Sequence, residues 1–182
     1  AVAPSSVWQF NTNANFEGWA AINGATNAFV SGGLLTADIT ATNAGIQIAP
    51  VTLSATSAHL VQVRLRNNTA AAAAKLYWTT DGDPTFNELK SVSVVLSPNN
   101  TNLLTYSWEL RDTPAWTNSA VTALRLIPAA TATSGNFALD WIRVTPVFTN
   151  VAPTFTKGAN QTVLEDSGPR TVAGWITAPS VG

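Results

Sequence analysis

Two segments of the sequence, residues 60–66 and 75–78, alternate apolar side chains with polar or aromatic ones. Alternate side chains of a β-strand point to opposite faces, so the polar set of each segment is predicted to face water. That water-facing set is Gln62, Arg64, Arg66, Lys75 and Tyr77. Aromatic rings stack on the C–H faces of sugars, and guanidinium and amide groups hydrogen-bond sugar hydroxyls. If the two faces adjoin in one sheet, they form one saccharide-binding patch.

Further residues are predicted to extend or border this patch. Glu109, with Ser93 and Ser107, would enlarge it, and Trp78 contributes either to the patch or to the core. Phe86 and Trp116 follow turn residues and are the candidate aromatics at its rim. A cationic patch on a nearly neutral chain favours an anionic polysaccharide. The alternative is that these side chains form an ordinary solvated face of a sheet.

The residues needed for catalysis are sparse. The chain has one histidine and no cysteine, which excludes a two-histidine metal motif and thiol chemistry. It has no Gly-x-Ser-x-Gly motif, and none of its ten acidic residues lies in a recognisable acid/base setting. The sequence therefore predicts binding without catalysis, and a small glycan-cleaving enzyme is kept as an alternative.

Two acidic positions need a structural explanation. Asp140 interrupts an apolar segment, and a buried charge there requires a cation as its partner, either Arg125 or Arg143 or a metal ion. The segment Asp81-Gly82-Asp83-Pro84 has the composition of a turn, with a loop that binds an ion as the alternative.

Composition limits the setting and the partners. Charged residues make up 10% of the chain and its net charge is −1, so it lacks the basic surface that nucleic-acid binding requires. Its apolar runs are much shorter than the roughly 20 residues of a membrane span. The absence of cysteine and methionine suits an extracellular protein. We expect a secreted or cell-surface protein, of bacterial type, with no nucleic-acid or membrane partner.

Alternating segments separated by Asn, Gly and Pro predict an all-β fold, a two-sheet antiparallel β-sandwich of the jelly-roll type. The alanine run at 70–74 is too short for a helix and is predicted to be a loop that leads into a strand. Residues 1–6 are predicted to be a linker and 7–147 the sandwich. Residues 148–182 are too few to form a sandwich and are predicted to be a linker and a fragment of a following domain.

The order of the motifs resembles a known family. These motifs are Trp8-Gln9-Phe10-Asn11, Phe16-Glu17-Gly18-Trp19, Gly32-Gly33-Leu34 and Phe137-Ala138-Leu139-Asp140-Trp141-Ile142. They are similar to motifs of the galactose-binding-like jelly rolls that serve as carbohydrate-binding modules in bacterial secreted enzymes and surface proteins. The resemblance implies a non-catalytic module that binds a polysaccharide and is joined to neighbouring domains of the same chain.

The resemblance also implies a cofactor and a context. In such modules the aspartate of the closing strand binds a structural calcium ion, which here implies Asp140 with Gln9, Asn11 and Gly33. Residues 152–166 resemble the start of an immunoglobulin- or cadherin-like repeat of large surface proteins. An alternative function, a structural or adhesive repeat, follows from that tail.

Overall fold

A computed structural model of the chain describes residues 6–54, 58–117, 120–146, 154–160, 162, 164–169, 171, 173–174 and 176–180. The chain divides into two compact units, Ala1–Val147 and Phe148–Gly182. The predicted linker, residues 1–6, lies outside the described residues except for Ser6, which begins the first strand. Among the described residues, no helix has both the length and the hydropathy needed to cross a bilayer.

The described part of the first unit consists of short antiparallel strands, two short helices and their connections. The helices are a 3-10 helix at Glu88–Lys90 and α1 at Pro114–Thr117. The strands, in chain order, are β1 (Ser6–Trp8), β2 (Trp19–Ile22), β3 (Ala25–Ser31), β4 (Leu34–Ile39), β5 (Gly45–Ile48), β6 (Leu53–Ser54), β7 (Leu60–Asn68), β8 (Ala73–Thr80), β9 (Ser91–Val95), β10 (Asn100–Glu109), β11 (Ala120–Ile127) and β12 (Asn136–Thr145).

These strands form two antiparallel sheets. Sheet A has the order β10-β7-β12-β4-β3, and β1 pairs with β12. Sheet B has the order β2-β5-β11-β8-β9, and β6 pairs with β11. The predicted all-β, two-sheet antiparallel β-sandwich is confirmed. The alanine run is a loop up to Ala72 and enters β8 at Ala73, as expected.

The core lies between the two sheets, where alternate side chains of each strand meet those of the facing sheet. In β7 the inward residues Val61, Val63 and Leu65 are apolar because every second position of that stretch is apolar. The buried residues that link the two sheets include Val61, Val63, Leu65, Leu76, Trp78, Leu124, Leu126, Phe137 and Leu139. This alternation leaves the opposite side of each strand free to carry polar groups on two outer faces.

Among the register shifts of sheet A, two β-bulges affect the strands that carry predicted or exposed side chains. The register of β12 shifts between Leu139 and Trp141, and the register of β3 shifts between Thr26 and Phe29. The bulge in β3 breaks the two-residue period by which strands are recognised in a sequence. Both bulges lie on strands that carry outward polar and aromatic side chains.

The described part of the second unit contains two paired strands, β13 (Thr154–Lys157) and β14 (Ile176–Ser180). The sequence resemblance of this unit to an immunoglobulin- or cadherin-like repeat stays a prediction.

Candidate functional site

The predicted patch is divided between the two outer faces of the sandwich. Arg64 and Arg66 lie on β7 of sheet A, whereas Lys75 and Tyr77 lie on β8 of sheet B. The chain changes sheets between β7 and β8, so two strands that are consecutive in sequence face opposite sides of the molecule. The expectation that their outward faces adjoin is wrong. Glu109 belongs with sheet A, because β10 pairs with β7.

Two tryptophans considered as ligand contacts belong to the core. Trp78 and Trp116 are fully buried, and their rings pack edge to face with centroids 5.3 Å apart. The indole nitrogen of Trp78 donates to the Ala115 carbonyl at 2.9 Å, and that of Trp116 donates to the Ala58 carbonyl at 2.7 Å. The prediction that Trp78 contacts a ligand is therefore wrong, and so is the rim position of Trp116. Both indoles satisfy their polar atom inside the protein.

Sheet B carries a depression of about 220 Å³ on its outer face. Strands β8 and β11 place Tyr77 opposite Arg125, and Phe86 comes from the loop between β8 and β9. The rest of the lining is mostly amide and carboxylate groups. The complete lining is Asn23, Asn43, Tyr77, Phe86, Asn87, Glu88, Arg125 and Ile127. The depression thus combines two aromatic rings with planar hydrogen-bonding groups.

Arg125 is held in a fixed orientation at this depression. Its Nε and Nη2 atoms donate to Oε1 of Gln47 on the neighbouring strand, at 3.0 and 2.9 Å. Its guanidinium carbon lies 4.0 Å from the centre of the Phe86 ring. Partial burial lowers the pKa of Arg125 from its ordinary value, but a guanidinium stays charged at physiological pH. Arg125 therefore joins the sheet to the loop and presents its remaining donors to the depression.

Glu88 organises the opposite side of the depression. Its Oε1 atom accepts a hydrogen bond from the Tyr77 hydroxyl at 2.7 Å, and its Oε2 atom forms an ion pair with the Lys75 ammonium group. Lys75 also lies over the Tyr77 ring, 4.9 Å from its centre. The hydrogen bond from Lys75 holds the pKa of Glu88 below its ordinary value. Lys75 is thus neutralised by a carboxylate and orients Tyr77.

The pKa values of the two partners of Glu88 are both raised. The hydrogen bond to Glu88 is the main cause for Lys75. For Tyr77 burial is the main cause, and its hydrogen bond to Glu88 acts in the same direction. At neutral pH Glu88 is ionised, Lys75 is charged and Tyr77 keeps its proton, so the trio has one hydrogen-bonding pattern.

A buried lysine anchors the loop that supplies Phe86, Asn87 and Glu88. Lys90, only 5% exposed, forms an ion pair with Oδ2 of Asp83 at 2.6 Å and donates to the Asp83 carbonyl at 2.7 Å. The Lys90 hydrogen bond holds the pKa of Asp83 well below its ordinary value. Oδ2 of Asp83 also accepts from the Asn87 amide at 3.2 Å. The segment Asp81–Pro84 is thus a turn fixed by protein groups, as its composition predicts.

The outer face of sheet A holds the other predicted residues in a second network. Arg64 pairs with Asp140 at 2.9 Å, and Nε of Arg143 donates to Gln62 at 2.9 Å. Asp140 was expected to be buried and paired with Arg125 or Arg143, or with a metal ion. Instead the bulge in β12 turns its side chain outward, where it is 26% exposed, and its partner is Arg64.

The remaining members of that face are Glu109 and Arg66. The Glu109 carboxylate lies 3.5 Å from Nη2 of Arg111 at the end of β10. Arg66 lines a separate depression of about 270 Å³ toward the β3 edge of the sheet. Of the predicted ligand-binding residues, the structure therefore brings Lys75 and Tyr77 together at one site and places Arg64, Arg66 and Glu109 on the other side.

The residues implied for calcium do not fit a cation site. The Asn11 amide donates to Oε1 of Gln9 at 3.0 Å, and a Cβ added to Gly33 would lie 3.6 Å from Oδ1 of Asn11, so these three residues are close together. Asp140, the one carboxylate of the set, is engaged by Arg64. Within the described residues there is no group of three or more acidic, histidine or cysteine side chains able to hold a metal.

Glu17 binds the backbone of the segment that contains Gln9. Its two carboxylate oxygens each accept a backbone N–H, from Gln9 and Phe10, both at 2.9 Å. A carboxylate that bridges two amides fixes the entry of the first loop. Calcium binding stays an untested prediction.

Sequence reasoning missed most of the lining of the sheet B depression. Arg125 was considered only as a partner for Asp140, although it alternates with the buried Leu124 and Leu126 and so had to face outward. Glu88 was one of several unassigned carboxylates. The signal for Arg125 was present in the period of β11, whereas the loop residues could be placed only by the fold.

Comparison with known proteins supports the fold assignment. No protein family and no curated protein matches the sequence. Several solved structures share the fold at low sequence identity. A low-affinity xylan-binding module, CBM86 from Roseburia intestinalis, superposes with a TM-score of 0.50 at 9% identity, over 78% of this chain and 95% of its own.

Two other structures show the same relationship. PfGH50B matches with a TM-score of 0.57 at 12% identity, over 81% of this chain but only 24% of its own. The second N-terminal cellulose-binding domain of Cellulomonas fimi β-1,4-glucanase C matches with a TM-score of 0.49 at 13% identity, over 78% of this chain and 92% of its own. The likeness to CBM86 and to PfGH50B, at these low identities, supports the β-sandwich fold alone.

Proposed function

We propose that residues 7–147 form a non-catalytic carbohydrate-binding module that holds a polysaccharide in the sheet B depression. The observation that carries this proposal is the lining of that depression. Tyr77 and Phe86 offer rings for the C–H faces of a sugar, while Arg125, Glu88 and Asn87 offer donors and acceptors for its hydroxyls. The fold shared with the xylan-binding module supports the same function.

The charges at the depression favour a neutral polysaccharide over an anionic one. The expected cationic patch is divided between two faces, and Lys75 is paired with Glu88. Arg125 is left as the one cation of the lining, opposite the carboxylate of Glu88. An anionic chain would gain from Arg125 but would be repelled by Glu88, whereas neutral hydroxyls can bond with both.

The electrostatics also oppose catalysis at this site. A glycosidase requires two carboxyl groups, one of which acts as a general acid with a raised pKa. Glu88 is the single acidic residue of the lining, and its pKa is lowered by Lys75. We therefore propose binding without hydrolysis, in a secreted or surface protein where neighbouring domains would supply avidity or chemistry.

Affinity electrophoresis of the full chain tests this proposal. Soluble xylan, hydroxyethylcellulose and polygalacturonate are cast in separate gels. We expect at least one neutral polysaccharide to retard the protein, with no release of reducing ends. Tyr77→Ala should weaken the retardation about tenfold, which corresponds to about 1.4 kcal/mol. Leu89→Ala is the matched control, because Leu89 is 86% exposed on the adjacent 3-10 helix but does not line the depression.

Tyr77→Phe refines the experiment, since it keeps the ring and removes only the hydrogen bond to Glu88. It should bind more tightly than Tyr77→Ala. The absence of retardation in all three gels, or equal retardation of Tyr77→Ala and the native chain, would refute the proposal.

A further inference from the structure

A second depression, of about 270 Å³, lies on the outer face of sheet A, opposite the proposed site across the sandwich. Its lining comes from four adjacent strands. One guanidinium, one carboxylate, two amides and one hydroxyl converge there. The lining is Asn27, Thr36, Ala37, Asp38, Arg66 and Asn136. The polar lining of the first depression likewise contains a guanidinium, a carboxylate and amides.

An exposed aromatic ring, that of Phe29, lies on the edge strand β3 beside this depression, although it is not part of the lining. Phe29 is 53% exposed and lies opposite Thr36 in the pairing of β3 with β4. The hydroxyl of Thr36, which lines the depression, donates to the Phe29 carbonyl at 3.4 Å. Exposing a phenyl ring on a sheet edge costs free energy in water, and a partner with an apolar face would remove that cost.

The bulge in β3 builds the polar side of the site next to Phe29. Asn27 adopts a φ of 50°, in the left-handed region that asparagine tolerates better than most residues. Its amide donates to Oδ2 of Asp38 at 2.8 Å, which holds both groups at the depression. Bulges of this kind commonly redirect side chains beside functional sites.

Arg66 supplies the donor on the opposite side. Among the described residues no ion pair joins its guanidinium to an acidic side chain, in contrast to Arg64 on the same strand. Arg66 and Asp38 are thus an available donor and an available acceptor on the same depression. One charge of each sign suits a neutral ligand that carries several hydroxyl groups.

We propose that the depression lined by Asp38 and Arg66, together with the neighbouring ring of Phe29, is a second saccharide-binding site, specific for a neutral sugar unit, on the face opposite the first. The proposal takes its ligand class from the proposed function but rests on its own residues. Because the two sites lie on opposite outer faces, one extended glycan cannot fill both without bending around the module. The module would therefore bridge two polysaccharide chains.

Amide NMR spectra of the isotope-labelled full chain test this inference, with xylohexaose, cellohexaose and trigalacturonate as separate probes. We expect a neutral hexasaccharide to shift the signals of Asn27, Phe29 and Arg66 in addition to those of Tyr77 and Arg125. Phe29→Ala should reduce the shifts on sheet A at least fivefold and leave those on sheet B unchanged. Val7→Ala is the matched control, because it shortens another exposed apolar residue that pairs with the same sheet.

The possible outcomes separate the two proposals. Shifts at Tyr77 and Arg125 alone would overturn the second site and leave the proposed function intact. Shifts at Phe29 and Arg66 alone would support the second site and refute the first. Shifts on sheet A with trigalacturonate only would overturn the neutral ligand class, and no shifts with any probe would overturn both proposals.

Discussion

The guanidinium of Arg125 lies over the ring of Phe86, with its central carbon 4.0 Å from the ring centre, and this contact ties sheet B to the loop that follows β8. The same arginine is bonded twice to Gln47. Sheet A repeats the arrangement, because Arg143 lies 4.3 Å over Trp141 and donates to Gln62. On each outer face, therefore, an arginine side chain is held in place by a glutamine and an aromatic ring.

Replacing Arg125 with lysine tests the role of this contact in binding. Lysine keeps the charge but cannot make the planar, two-bonded contact with Gln47 or stack in the same way on Phe86. We expect Arg125→Lys to weaken polysaccharide binding about fivefold to tenfold in affinity electrophoresis and to lower the melting temperature by a few degrees.

Arg143→Lys is the matched control for that variant. It removes an equivalent arginine–glutamine–aromatic arrangement on the opposite sheet, so a similar loss of stability is expected with the sheet B site unchanged. Equal loss of binding in both variants would show that the effect comes from general destabilisation.

Removing the buried lysine tests the anchoring of the loop. Lys90→Met keeps the aliphatic stem in place but removes the buried cation that pairs with the Asp83 carboxylate and donates to its carbonyl, leaving only the weaker neutral donors such as Asn87. We expect a fall of several degrees in melting temperature and weaker polysaccharide binding, because the loop that carries Phe86 and Glu88 loses its support. Thermal unfolding and gel retardation measure the two effects. Full affinity in a destabilised Lys90→Met variant would show that the loop keeps its position without Lys90.

The alternation of the sequence predicts the fold well, for a physical reason. A strand that packs on one side must repeat every two residues, and residues 60–66 do so. What alternation cannot give is the sheet to which each strand belongs. The separation of Arg64 from Tyr77 depends on a change of sheet within the loop after Asn68, and that change follows from packing of the whole chain.

The bulges account for the other errors. In β12 the inward residues Leu139 and Ile142 are three positions apart, so Asp140 leaves the expected inward series and reaches Arg64. The sequence does show this break in the two-residue period, but the position of Asp140 within an apolar segment predicts a buried carboxylate instead of an outward one. In β3 the bulge breaks the two-residue period, so the exposed position of Phe29 cannot be read from alternation.

The buried position of Trp116 leads to a prediction about stability. Trp116→Phe removes the hydrogen bond to the Ala58 carbonyl and part of the edge-to-face contact with Trp78. We expect a loss of about 2 kcal/mol in the free energy of unfolding, with unchanged polysaccharide affinity once the protein is folded. Denaturant unfolding and gel retardation provide the two measurements. Reduced affinity without loss of stability would place Trp116 at the ligand after all.

The calcium prediction can be decided by thermal unfolding. Since Asp140 is paired with Arg64 and Glu17 already binds two backbone amides, we expect neither calcium nor a chelator to change the melting temperature. Asp140→Asn should lower the melting temperature equally with and without calcium. A rise caused by calcium in the native chain, absent in Asp140→Asn, would reinstate the site inferred from the family resemblance.

The pKa shifts at the sheet B site predict how binding and stability depend on pH. The pKa of Glu88 lies below its ordinary 4.5, whereas those of Lys75 and Tyr77 lie above 10.5 and 10.0, so this trio keeps its charges from about pH 5 to about pH 9. We expect constant affinity across that range. Because the folded-state pKa of Glu88 is lowered, its contribution to stability is complete above the ordinary value and is lost as the pH falls through the folded value. Lys75→Met should reduce that loss of stability at acid pH, because Lys75 is the largest of several causes of the lowered pKa of Glu88. A native affinity that changes between pH 6 and pH 8 would contradict the assigned charges.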